Sequence, residues 1–169
     1  MNRKTKALTL ALPFITLLAA VTAFRHFNLY INMTESLPLG IYTLKTSEKI
    51  LRGDVVLVVD LDEIGVDRKL CRQSRMLKET AGLQGDMVSS DGESIFINGR
   101  QLPDSDIFEF DKLGRKLPHP KYPYTIQADE IYVTSQHKYG YDSRYYGPVP
   151  RAHVIGVAVP IFLFKGESR

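Results

Sequence analysis

The stretch RMLKETAGLQGDMVSS, Arg75 to Ser90, reads as strand, turn, strand. Apolar residues crowd its first half, and Gly82, Gly85 and Asp86 punctuate the middle as turn residues do. One residue sits oddly there. Lys78 falls inside the apolar strand. It is either the exposed residue of an amphipathic strand or an amine held away from water, whose pKa desolvation would lower.

The same strand grammar extends in both directions. GDVVLVVD, Gly53 to Asp60, is a β-branched run of the kind found in buried strands. GIYTLK, 40–45, is a short strand, with an edge to which an extended substrate could add. SIFINGRQL alternates apolar residues around Asn98–Gly99, a strong hairpin signal. DEIYVTS and HVIGVAVPIFLF complete the strand set. LDEIGVDRKLCRQ is expected to hold one short helix, RHFNLYINMTE is a connector, and 104–126 is a long irregular link rich in proline and charge. The apolar tail VPIFLF is expected as a core or edge strand, being far too short to span a bilayer. The sum predicts a mostly-β domain built on a twisted, partly closed sheet.

Composition bounds the function. The chain of 169 residues carries a net charge of +3. No basic stripe interleaves with aromatics, so no nucleic-acid partner is expected. The single cysteine, Cys71, excludes an internal disulfide framework and a Cys-rich zinc site; it reads as a small buried hydrophobe. The four histidines are scattered with no metal-ligand spacing, and no metal or cofactor is expected.

The N-terminus has a different character. After Arg3, Lys4 and Lys6, the 18 residues from Ala7 to Phe24 carry no charge. That suits a membrane helix, with the basic end cytoplasmic. Residues 1–24 are therefore expected as cytoplasmic tip and anchor in the inner membrane, and 25–169 as an exported, periplasmic domain. A cleavable secretory signal ending near Val21–Ala23 is the alternative, and it exports the same domain.

MTESLPLGIY, Met33 to Tyr42, follows that anchor and offers a candidate nucleophile, Ser36. A nucleophilic serine needs a base. No histidine lies near Ser36 in sequence and no G-x-S-x-G elbow is present. A desolvated Lys78 would serve instead, since a neutral lysine can take the serine proton.

Four segments in order resemble the boxes of the type I signal peptidase family, the serine–lysine membrane peptidases. They are TESLPLG, LRGDVVLV, LKETAGLQGD and YDSRYYGPVP. The form SLPLGIY is similar to the TraF-type branch, from conjugative plasmid transfer systems. The resemblance implies Ser36 as nucleophile and Lys78 as general base. It implies an oxyanion hole from the Ser36 backbone N–H and the Thr34 hydroxyl, although a threonine there is equally a turn residue bonding locally. Pro38 and Gly40 would shape the loop, Gly82, Gly85 and Asp86 the turn after the base, and Asp142 and Arg144 would pair to brace the site. The branch implies maturation of a membrane-inserted pilin, in some members with ring closure, alongside components of a conjugation or type IV secretion apparatus. A general signal peptidase acting on signal-peptide-bearing preproteins and a non-catalytic anchored scaffold are the competing readings.

Three departures from the family pattern stand out. Glu79 follows the lysine where many relatives have arginine, and strand alternation should point it away. Leu37 replaces a common methionine, a swap of similar volume. Gly140 stands where housekeeping members place the serine that orients the lysine, leaving Ser135 or Ser143 as substitutes.

Overall fold

The computed structural model describes residues 11–19, 21–22 and 28–164. Eleven strands run in chain order: β1 Leu29–Asn32, β2 Gly40–Lys45, β3 Val55–Val59, β4 Arg75–Gly82, β5 Met87–Ser90, β6 Ile95–Ile97, β7 Arg100–Gln101, β8 Tyr124–Thr125, β9 Glu130–Thr134, β10 Val149–Pro150 and β11 Val154–Leu163. One helical turn, Ser143–Tyr146, and a 3-10 turn, Arg151–His153, interrupt them.

The main sheet has seven strands in the order β1-β2-β11-β3-β4-β9-β10, and a smaller one has four, β7-β6-β5-β8. Three register breaks mark the main sheet, at Pro160/Phe162, Val154/Gly156 and Thr80/Gly82. Such bulges bend a strand and raise its twist. The sheet accordingly curls into a half barrel, with β1 and β10 as its edges.

The β-branched run of β3 lies near the centre of the main sheet. Val56, Leu57 and Val58 are fully buried because both faces of the sheet are covered there. Val56 and Val58 join Met76, Ile131 and Val133 in one apolar cluster. Leu57 and Leu77, on the other face, pack with Leu37, Tyr42 and Ala158. A third cluster, around Val88, Ile95, Ile97, Ile126 and Tyr132, joins the small sheet to the large one.

Several expectations need correction. Residues 61–73 form successive turns and hold no helix; Leu61, Ile64 and Val66 are drawn into the core individually. The connector after the apolar run contains β1. β2 has no free edge, since β1 and β11 pair with it from both sides, so a substrate cannot add there. The tail of β11 is paired within the sheet, yet Ile161, Phe162, Leu163 and Phe164 are exposed. The hairpin stands as expected, with Asn98 and Gly99 both at positive φ between β6 and β7.

The expected anchor, 7–24, falls partly outside the described residues. Residues 11–19 and 21–22 are helical and present exposed Leu12, Phe14, Ile15, Leu17 and Leu18. Among the described residues, no helix is by itself long and apolar enough to cross a membrane.

Candidate active site

β1 and β2 form an antiparallel pair in which Asn32 faces Gly40. The loop between them carries Ser36, and it is held from several directions. Asn32, 2% exposed, spreads its side chain beneath it. Its Nδ2 donates to the carbonyls of Thr34, Leu37 and Pro38 at 3.0, 3.0 and 3.1 Å. Its Oδ1 accepts from Thr34 N at 3.2 Å and Thr34 Oγ1 at 2.9 Å. Leu37 plugs into the core beside Tyr42, whose hydroxyl donates to Pro38 O at 2.7 Å. Gln136 N donates to Ser36 O at 2.8 Å, and Phe164 N to Leu39 O at 2.9 Å. Gly40 is explained by close approach: a Cβ there would overlap the Phe162 carbonyl of β11.

Lys78 reaches this loop from β4. Its Nζ lies 3.2 Å from Ser36 Oγ and 3.2 Å from Ser135 Oγ. Only 2% of the residue is exposed. Burial is the main cause that brings its pKa down from 10.5 to about 8; Asp142 and Cys71 pull the other way and Arg144 adds to the lowering. Desolvation penalises the ammonium and leaves the neutral amine accessible near neutral pH.

The hydrogen-bond inventory orients that amine. Ser135 Oγ donates its one hydrogen to Asp142 Oδ2 at 2.9 Å, and Ser135 N donates to the same oxygen at 2.9 Å. With its proton committed, the Ser135 hydroxyl can only accept from Lys78. A neutral amine donating to Ser135 turns its lone pair elsewhere, and Ser36 Oγ is the other group within reach. Asp142 is itself fixed. Arg144 Nε donates to Oδ1 at 2.8 Å and Nη2 to Oδ2 at 2.9 Å. Arg144, fully enclosed, also donates to the carbonyls of Asp104, Asp106, Lys138 and Gly140 at 2.8–2.9 Å. The buried charge is thus paired and its remaining donors are satisfied, which is what keeps such a pair tolerable.

The family described as signal peptidase, peptidase S26 matches residues 2–163. The chain belongs to that family. It is 30% identical over 145 residues to the plasmid transfer protein TraF of Escherichia coli, covering 78% of this chain and 81% of the relative. It is 29% identical over 169 residues to the conjugal transfer protein TraF of Agrobacterium tumefaciens, covering 93% and 94%. Signal peptidase I of Leptolyngbya laminosa is 27% identical over 113 residues, covering 66% of this chain and 52% of that one.

In this S26-family peptidase the remaining sequence candidates fall around the same centre with different jobs. Ser135, not Ser143, contacts the lysine; Ser143 Oγ accepts from Val133 N at 3.0 Å instead. Gly140 is explained by close packing: a Cβ at position 140 would overlap the Ser135 side chain, so the glycine makes room for that hydroxyl. Glu79 points outward, its carboxylate accepting from Gln136 Nε2 at 2.7 Å. Thr34 bonds locally, its hydroxyl proton going to Asn32. Asp86 fixes the turn after β4, accepting from Leu83 N and from the side chains of Arg52 and Asn98, each at 2.7 Å. Gly85 has a φ of 85°, and a Cβ on Gly82 would crowd Ile126 and Tyr132. Asn32 went unnoticed in the sequence because an asparagine before a turn is commonplace.

Proposed function

We propose that Ser36 and Lys78 are the serine–lysine dyad of a membrane-anchored endopeptidase that processes a conjugative pilin subunit. The observation that carries the proposal is the 3.2 Å contact between a buried lysine amine and the Ser36 hydroxyl. Neutral Lys78 takes the Ser36 proton as Oγ attacks the scissile carbonyl. The tetrahedral oxyanion is met by the Ser36 N–H, with Thr34 as second donor if its hydroxyl leaves Asn32. Lys78 then protonates the leaving amine, and an ester acyl-enzyme remains on Ser36. Water resolves it to a cut chain; a peptide amine resolves it to a ring. An extended substrate is best accommodated along Arg75–Lys78 of β4, which β9 leaves unpaired up to Glu79.

The transfer-protein names of the relatives support a role in conjugation. The uncharged run from Ala7 to Phe24 supports an inner-membrane anchor with the catalytic domain on the periplasmic side. Exposed Met33, Ile161, Phe162 and Leu163 lie around the nucleophile loop, where a bilayer surface would cover them.

The test is co-expression of wild type, Ser36→Ala and Lys78→Ala with the pilin-like protein encoded nearest the gene, followed by intact mass. A product weighing the precursor minus the free peptide, in wild type only, means cleavage with ring closure by this dyad, because acyl transfer to an amine consumes no water. A product one water heavier than that means hydrolysis, and favours the signal-peptidase reading. Equal masses in all three refute the substrate assignment or the dyad, which a serine-directed covalent probe separates.

A further inference from the structure

A cavity of about 320 Å³ opens beside Ser36, and the catalytic dyad does not account for it. Its far wall comes from the irregular link after β7. Phe108 of that link stacks on Tyr139 with ring centroids 4.9 Å apart. Phe110 and Leu113 also line the cavity, half or more exposed.

The charges around the rim are unevenly satisfied. Asp111 is neutralised by Arg115 through contacts of 2.6 and 2.5 Å. The ammonium groups of Lys112 and Lys138 instead lie 4.5 and 5.0 Å from the Tyr139 ring centroid. Among the described residues neither enters a salt bridge. The cavity is therefore an aromatic slot with two cations held against the Tyr139 ring at its rim, beside the exposed carboxylate of Glu35.

The slot is mechanically part of the active site. Arg144, which clamps Asp142, also binds the carbonyls of Asp104 and Asp106, and the Tyr145 hydroxyl accepts from Phe108 N at 3.3 Å. Gly140, which makes room for the lysine-orienting Ser135, lines the same cavity.

We infer that this slot is a substrate subsite. It takes one bulky apolar or aromatic side chain of the peptide, close to the scissile bond, with an acidic residue next to it engaging Lys112 and Lys138. The inference rests on the serine–lysine reading, because the slot acquires this meaning from sharing Ser36. The resemblance to the signal peptidase family implies small side chains before the cut, so a slot for a bulky one serves a different position and the two together set the register of the cleavage.

The experiment uses the full-length protein in detergent micelles and a panel of internally quenched peptides. Each carries alanine before the cut, and Phe or Ala at each neighbouring position, next to Glu or Lys. Wild type should prefer Phe over Ala at one position by on the order of ten- to a hundredfold, and Glu over Lys beside it. Phe108→Ala should bring the Phe preference to within about threefold, through KM rather than kcat, and Phe108→Leu should restore most of it. The exposed pair Lys112→Glu with Lys138→Glu should invert the Glu-over-Lys choice, and needs no refolding of the slot. A wild type that treats every peptide alike, whether it cuts all or none, while a small fluorophosphonate still labels Ser36, overturns the subsite and spares the dyad. So does a Phe108→Ala variant that slows all peptides equally through kcat. Fluorophosphonate labelling that survives Ser36→Ala overturns the dyad reading beneath it.

Discussion

Replacing Lys78 with methionine should stabilise the protein by about 1 kcal/mol at pH 7 and destabilise it by about as much at pH 10. The site is apolar enough to bring the lysine from 10.5 to about 8. Each tenfold change in proton affinity corresponds to about 1.4 kcal/mol between the two protonation states. At pH 7 both folded and unfolded chains hold the proton, so the whole penalty of burying the ammonium, about 3 kcal/mol, opposes folding. Between about pH 8 and 10.5 the folded chain has released the proton while the unfolded chain still binds it. Stability of the wild type therefore rises with pH through that window, and by pH 10 the remaining penalty is about 1 kcal/mol. Methionine has a similar length and no charge, so Lys78→Met lacks this slope. The lost hydrogen bonds to Ser36 and Ser135 subtract about 1 kcal/mol each, without depending on pH. Urea unfolding of both full-length proteins in nonionic micelles, followed by circular dichroism at pH 7 and pH 10, measures the difference. The stability gap, variant minus wild type, should fall by about 2 kcal/mol between those two values. A gap that stays constant refutes the claim that Lys78 is desolvated, and with it the neutral-amine base.

The same titration governs rate. The second-order rate of Ser36 modification by a fluorophosphonate should climb about tenfold per pH unit below a midpoint near 8 and then level; a profile still climbing past pH 10 excludes Lys78 in this role. Ser135→Ala should lower kcat by on the order of a hundredfold with little change in KM, because the amine loses the acceptor that aims its lone pair. Gly140→Ser should destabilise by about 1–3 kcal/mol in thermal melts through overlap with Ser135, and Gly140→Ser with Ser135→Ala should recover part of that loss. Asn32→Ala should cost about 2–3 kcal/mol in urea unfolding and slow Ser36 labelling as well, since three loop carbonyls lose their shared donor.

Local signals in the chain were enough for the architecture in outline. Alternation, β-branched runs and the Asn98–Gly99 turn report strands because side-chain period and turn dihedrals are properties of a few neighbouring residues. They failed at 61–73, where the apolar residues of an expected short helix are buried one by one from successive turns, and at β1, whose exposed Ile31 and half-buried Tyr30 give a weak alternation. They failed again over the edge of β2, because strand order is a matter of which distant segments pair, and β11 arrives from the other end of the chain.

The candidate dyad was legible for a different reason. Ser36 and Lys78 sit in segments whose residue types are constrained by the chemistry, so resemblance picked them out without any geometry. What the sequence alone could not decide was which hydroxyl faces Lys78. Ser135 lies 57 residues away from it, and its place depends on Gly140 lacking a Cβ and on Asp142 capturing its proton. Nor could it single out Asn32 or the slot beneath Phe108. A hydrogen bond or a cavity belongs to groups that meet only after the chain has folded, and residue type specifies what a side chain can do, while tertiary packing determines which of those capacities is used.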